Sequence, residues 1–206
     1  LIQSEGNTWR QIRNGPVTLY GGALLLAVIG SILPFYFIKG PLELHDAPAG
    51  KPIQRFSRFE RIVHWSTAGS FVLLAVTGVG TLFGKHVLVP IIGHAAFGFL
   101  LNFGKIVHNY IGPLFMAALL VMIVIWARDN VWQNIDALWI RKAGGVLSNE
   151  HVPSGRFNFG EKTWFWFGVT ILGFTVAVSG LIMDFPNLGE WTRSDMQTAN
   201  IVHAIG

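Results

Sequence analysis

Three histidines stand where an ionisable side chain is expensive. His64, His108 and His203 each lie within the first turn or so of an apolar run. An imidazole at that depth in hydrocarbon is a functional hypothesis by default. Neutral imidazole is a common ligand of haem iron, so these residues could hold b-type haem between helices. For each histidine taken singly, an interfacial side chain hydrogen-bonded to a neighbour is the plainer alternative. Three such residues at equivalent depths in separate helices favour the metal. His45, His86 and His151 fall in polar stretches and read as solvated, and His94 reads as a partly buried structural or surface residue.

The elements that must position these ligands are apolar helices. Four stretches, 17–38, 62–83, 106–127 and 164–183, approach or reach bilayer length, about 20 residues at roughly 1.5 Å each, and none contains Lys, Arg or Glu. Only 13% of the 206 residues are charged and 51% are hydrophobic, a charge deficit that points to lipid as the main solvent. The 24 glycines and 8 tryptophans fit close helix packing and headgroup anchoring. The composition therefore predicts an all-α integral membrane protein, a transmembrane helix bundle. The segment 87–101, interrupted by Pro90, Gly93 and His94, is too short to span and reads as a surface or re-entrant piece. Residues 200–206 read as the opening of a further helix, and 131–140 as a short helix lying on the membrane face. The chain starts at Leu1 and stops at Gly206 inside an apolar-looking run, which predicts a processed or trimmed product.

Charge sets orientation and excludes other classes. Lys39, Lys51, Arg55, Arg58 and Arg61 follow the first span, and Arg128, Arg141, Lys142, Arg156 and Lys162 follow the third. Arg10, Arg13, Lys85, Lys105 and Arg193 lie on the opposite side. The positive-inside rule puts the larger set in the cytoplasm and the N-terminus outside. The net charge of +4 resides in short loops and makes no nucleic-acid stripe. The absence of cysteine excludes disulfides, iron–sulfur ligation and c-type haem attachment by this chain.

With that orientation, the second span begins at the cytoplasmic face and the third at the outer face. His64 and His108 are then separated by most of a core about 30 Å thick, so one iron cannot bind both. Two sites are required, with His203 level with His108 and able to complete the outer one. A partner for His64 is expected roughly 13 to 15 positions beyond His203, at about 1.5 Å rise per residue. Gly69, Gly78, Gly80, Gly112, Gly168, Gly173 and Gly180 could make room for a porphyrin, although small residues are common wherever membrane helices meet.

The run Arg55-Phe-Ser-Arg-Phe-Glu-Arg-Ile-Val-His64-Trp65 before a glycine-bearing span resembles the first haem helix of the gamma subunit of respiratory formate dehydrogenase. Lys105-Ile-Val-His108 resembles that family's next haem helix. Arg156-Phe-Asn158-Phe-Gly160-Glu-Lys162 resembles its quinone-side loop, and Ile201-Val-His203-Ala the start of its last helix. The likeness covers about residues 53–206. It divides the chain into 1–50, with an extra transmembrane helix, and 51–206, a C-terminally incomplete di-haem cytochrome b domain.

The resemblance implies an electron-transfer subunit with no catalytic residues of its own, in a bacterial inner membrane with a periplasmic N-terminus. Its implied partners are an iron–sulfur beta subunit and a molybdenum or tungsten catalytic alpha subunit, with membrane lipid around it and no nucleic acid. Two haem b would be held by His64, His108, His203 and a further histidine, and quinone would be reduced near Asn158 and Gly160. Without the resemblance, Asn158 and Gly160 read first as an ordinary helix start, with Asn capping and Gly in the turn. A cytochrome b anchor of a hydrogenase or another quinone-linked oxidoreductase is the nearest alternative. A non-haem transporter would predict polar residues near mid-membrane, whereas the four spans are empty of charge in their interiors and their histidines read at the ends.

Overall fold

The computed structural model describes residues 4–40, 50, 53–146 and 151–206, and all regular structure among them is helical. His45 lies outside the described residues. Helix α1 (Ser4–Ile12) passes through a π-helical turn, Arg13–Val17, into α2 (Thr18–Lys39). Pro16 inside that turn cannot donate a backbone hydrogen bond, and the Thr18 hydroxyl donates to the Arg13 carbonyl at 2.7 Å. Helices α3 (Arg58–Val87), α4 (Val89–Trp126) and the short α5 (Asn134–Arg141) follow. Helix α6 (Phe159–Thr163) continues through a π-helical stretch, Trp164–Leu172, into α7 (Gly173–Asp184), and α8 (Arg193–Ile205) closes the described chain. Four helical segments, Gly6–Lys39, Arg58–Val87, Val89–Trp126 and Phe159–Asp184, are long and apolar enough to cross a membrane. The protein is an all-α, multi-pass membrane protein.

Two boundaries differ from the sequence reading. Of the segment 87–101, expected as a surface or re-entrant piece, Val87 ends α3, residues 89–92 form a turn before a kink at Gly93, and residues 94–101 continue as one helix into the third span. Gly93, at φ 76°, is the single break, and the apolar residues after it continue the helix to Trp126. Pro90 sits in the first turn of α4, where its missing N–H has no intrahelical partner to lose. The 33 residues from 94 to 126 would span about 50 Å, more than a hydrocarbon core of about 30 Å. Helix α8 begins at Arg193 and not at residue 200, because Thr192 and Asp195 form a reciprocal capping box. The short helix expected within 131–140 is present as α5.

The described residues fall into two compact units. In the unit made of residues 1–42, 69–115 and 175–206, α1 lies along α8, with Gly6 against Arg193 and Gln197, and Gly22 of α2 admits the ring of Phe83. Helix α2 buries none of its side chains, as suits a segment solvated by lipid. Phe71 and Phe115 meet at 6.2 Å between ring centres.

In the unit made of residues 43–68 and 116–174, Val63, Met122, Trp126, Phe157 and Phe165 form the buried core. Two Arg-Phe pairs far apart in sequence brace it reciprocally. Arg55 donates to the carbonyl of Arg156, and Arg156 donates to the carbonyl of Arg55 at 3.1 Å. Each guanidinium lies over the rings of both Phe56 and Phe157, at 5.2–5.9 Å. Arg156 also pairs with Glu60 and with Asp129 at 2.6 Å. Glu60 in turn accepts from the Trp126 indole at 3.1 Å.

Arg156→Ala leaves Glu60 and Asp129 unpaired and is expected to destabilise this unit by about 1.5–3 kcal/mol. Because both act through one network, Arg156→Ala and Glu60→Gln should be non-additive by at least about 0.5 kcal/mol in a double-mutant cycle of unfolding in detergent. Strict additivity would show that the two do not act together.

Candidate functional site

Of the three candidate ligands, His108 on α4 and His203 on α8 are brought together, with ring centres 5.9 Å apart and planes inclined by 76°. Each ring is anchored through Nδ1. His203 Nδ1 lies 2.8 Å from the carbonyl oxygen of Val176 on α7. A carbonyl can only accept, so Nδ1 carries the proton and Nε2 keeps its lone pair. Ser179 Oγ adds a second contact to Nδ1 at 3.2 Å, its own proton directed back to the Thr175 carbonyl at 2.7 Å.

The same logic operates on α3. Thr77 Oγ1 is 2.8 Å from His108 Nδ1 and donates its proton to the Leu73 carbonyl at 2.8 Å. With its proton on that carbonyl, the hydroxyl accepts from the imidazole in the tautomer that leaves Nε2 unprotonated. Both histidines are thus held in the tautomer whose free nitrogen can ligate a metal.

Glycines make room beside each ring. A Cβ on Gly180 would lie 3.0 Å from His203 Cε1, and one on Gly78 would lie 3.6 Å from His108 Cε1. Each candidate ligand therefore rests on a hydroxyl–glycine pair of another helix, Thr77-Gly78 or Ser179-Gly180. The other glycines expected near a porphyrin do different work. Gly173 lies against Leu119 and Gly168 against the Trp164 ring, while Gly69 and Gly80 have open space beside them. Gly112 has the Asp184 carboxylate near it at 3.7 Å.

This arrangement passes a simple test of fit to haem. Two imidazoles on opposite sides of one metal, at metal–nitrogen bonds of about 2.0–2.1 Å, have ring centres roughly 6 Å apart. The observed spacing agrees. The donor set is neutral nitrogen, with each second nitrogen already bonded, as haem ligation requires.

His64, on α3, is exposed, and its ring meets Trp65 at 5.2 Å and Trp126 at 6.2 Å between centres. Trp126 is itself held by Glu60 and, through it, Arg156. Desolvation alone would lower the pKa of Arg156, but Glu60 and Asp129 outweigh it and hold the guanidinium above its ordinary value. His86, His94 and His151 are exposed, His86 and His94 on helices and His151 in a loop.

Asn158 and Gly160 open α6. Asn158 Oδ1 accepts from the Glu161 amide at 2.9 Å, and Glu161 accepts from the Asn158 amide at 2.8 Å. Among the described residues the side-chain NH2 of Asn158 meets no acceptor, so it is available to donate. A Cβ at Gly160 would lie 3.0 Å from the Trp139 ring of α5, so only glycine lets α5 approach this closely. Sequence reasoning overlooked Thr77, Ser179, the Glu60–Trp126–Arg156 chain and the buried Asp136–Lys162 pair. A hydroxyl residue immediately before each critical glycine was a signal that could have found the first two.

A family model described as prokaryotic cytochrome b561 matches residues 55–206. The chain is 33% identical over 133 residues to the formate dehydrogenase cytochrome b556(fdo) subunit of Escherichia coli K12, covering 64% of this chain and 60% of that protein. It is 28% identical over 145 residues to the nitrate-inducible formate dehydrogenase cytochrome b556(Fdn) subunit of the same strain, covering 68% of this chain and 64% of that protein. The chain thus spans about 60% of the length of the first of these relatives.

Gly180→Val places branched carbon against the His203 ring and should abolish haem binding at the His108–His203 pair while helix content by circular dichroism is kept. Thr77→Val removes the acceptor for the His108 N–H and should weaken haem retention by about 10–100-fold, measured by competition with an apo-haem acceptor. Unchanged haem retention in both variants would remove this pair from consideration.

Proposed function

Because the chain belongs to the prokaryotic cytochrome b561 family, whose cofactor is haem b, we propose that it is the membrane cytochrome b subunit of a formate dehydrogenase. It accepts electrons from an iron–sulfur partner and delivers them to membrane quinone. A molybdenum or tungsten subunit oxidises formate elsewhere in the complex. The observation that carries this reading is the His108–His203 pair, two imidazoles at metal-sharing distance with both Nδ1 atoms bonded. The names of the relatives supply the formate link.

Bound haem b supplies one-electron exchange between ferric and ferrous iron. The chain's residues do the rest. His108 and His203 hold the outer haem, their tautomers set by Thr77, Val176 and Ser179. His64 holds the inner haem beside Trp126, with a further histidine completing it. Asn158 donates its free amide N–H to a quinone carbonyl, and Gly160 keeps that pocket's wall thin under Trp139. The membrane is the bacterial inner membrane, with the N-terminus in the periplasm and the loop carrying Arg156 and Lys162 in the cytoplasm.

A reduced-minus-oxidised absorption spectrum of the full-length protein, with haem b quantified per chain, is expected to give two haems. His108→Ala or His203→Ala should remove one of them, and His64→Ala the other. No haem at all would sink the cytochrome reading. In the assembled complex, formate should reduce both haems, and reduction by hydrogen in place of formate would move the protein to a hydrogenase.

A further inference from the structure

Lys162 belongs to the loop that carries Asn158, yet the function described so far gives it no task. Its side chain is only 4% exposed and that of Asp136 only 1%, and Lys162 Nζ donates to Asp136 Oδ2 at 2.7 Å. The same Oδ2 accepts from the Gln133 amide at 2.7 Å. Asp136 Oδ1 is buried and has no hydrogen-bond partner among the described residues. A buried ion pair is a poor anchor, since well-packed apolar residues usually serve as well or better. Here α5 is already anchored by apolar contacts. Trp139 lies on Gly160 and Phe159, and Trp132 meets the Phe159 ring at 5.7 Å. A buried pair with a spare acceptor oxygen is therefore unexplained by packing.

Its position suggests a role. Lys162 is four residues after Asn158, the N-cap of α6, and its amide donates to the Asn158 carbonyl at 2.9 Å, so the two lie within one turn of each other at the start of this helix. Building on the quinone reading of Asn158, we propose that Lys162 and Asp136 form the proton relay that completes quinone reduction in this pocket. Quinone takes two electrons from the reduced cytochrome and two protons to become quinol. One proton leaves Lys162 Nζ as its N–H bond breaks and an O–H bond forms on the oxygen held by Asn158. The other carbonyl oxygen takes its proton from water. The neutral amine then regains its proton from Asp136, which takes one from water at its unpartnered Oδ1 and brings it to Nζ as the carboxyl group turns.

The test uses the haem-loaded, full-length protein, reduced and then mixed either with a water-soluble naphthoquinone or with ferricyanide, which takes an electron without a proton. Haem absorbance reports reoxidation, and quenching of tryptophan fluorescence reports naphthoquinone binding. Lys162→Met should slow reoxidation by naphthoquinone by about 10²-fold, with ferricyanide rates and naphthoquinone binding unchanged, and Asp136→Asn should act in the same direction. Asp136→Leu/Lys162→Met removes both charges together, which spares the fold the lone buried charge left by either single change, and should show the same selective loss. If that folded double variant reduces naphthoquinone at the wild-type rate, or if both acceptors slow equally, the pair is an anchor and the relay is wrong. If reduced wild-type protein is oxidised by ferricyanide but not by naphthoquinone, the quinone reading itself fails and the relay falls with it.

Discussion

The ring N–H of a ligand histidine in hydrocarbon must find an acceptor, and helices offer few. Their carbonyls already accept along the helix, and only a second lone pair remains, which Val176 offers to His203. A serine or threonine inside a helix directs its hydroxyl proton to the carbonyl one turn back, which leaves its oxygen with only lone pairs to offer. Thr77 does this toward Leu73 and Ser179 toward Thr175, so each is an acceptor to the imidazole beside it. The hydroxyl orients the His108 ring, whereas on His203 the Val176 carbonyl fixes the proton on Nδ1 and Ser179 adds a second contact. At Gly180 the next glycine completes the device, since a Cβ there would crowd the His203 ring at 3.0 Å, whereas one at Gly78 would make an ordinary contact with His108 at 3.6 Å.

A different interaction organises the residues around His64. There Arg156 cross-links three sequence segments through Arg55, Glu60 and Asp129, and lies against the rings of two phenylalanines that touch each other. Glu60 passes the connection to the indole of Trp126, whose ring lies against His64. The loop that begins at Arg156 thus has a physical link to the candidate inner ligand. Two residues further on, Asn158 starts α6, so the chain segment assigned to quinone and the one assigned to the haem share a brace.

Much of this was legible in the linear chain, for identifiable reasons. Spans such as 62–83 and 164–183 declare themselves because hydrocarbon tolerates almost no charge, so their helical state follows from composition alone. His64, His108 and His203 stood out against that background for the same reason. The segment 87–101 was misread because Pro90 and Gly93 are breakers by type, yet Pro90 falls in a first turn and Gly93 breaks only its own residue. The start of α8 was misplaced although Thr192 and Asp195 carry the spacing of a capping box.

The sequence by itself determined that the protein is helical and membrane-embedded, since solvent transfer acts residue by residue, but it placed His108 at the end of a span whereas α4 carries it well inside the helix. Only the tertiary structure decided that His108 meets His203, that their protons sit on Nδ1, and that Lys162 is buried against Asp136. Those are pairings between residues from 26 to 95 positions apart. No local propensity encodes them, and they exist only once helices approach closely enough for a hydrogen bond or ring contact to form.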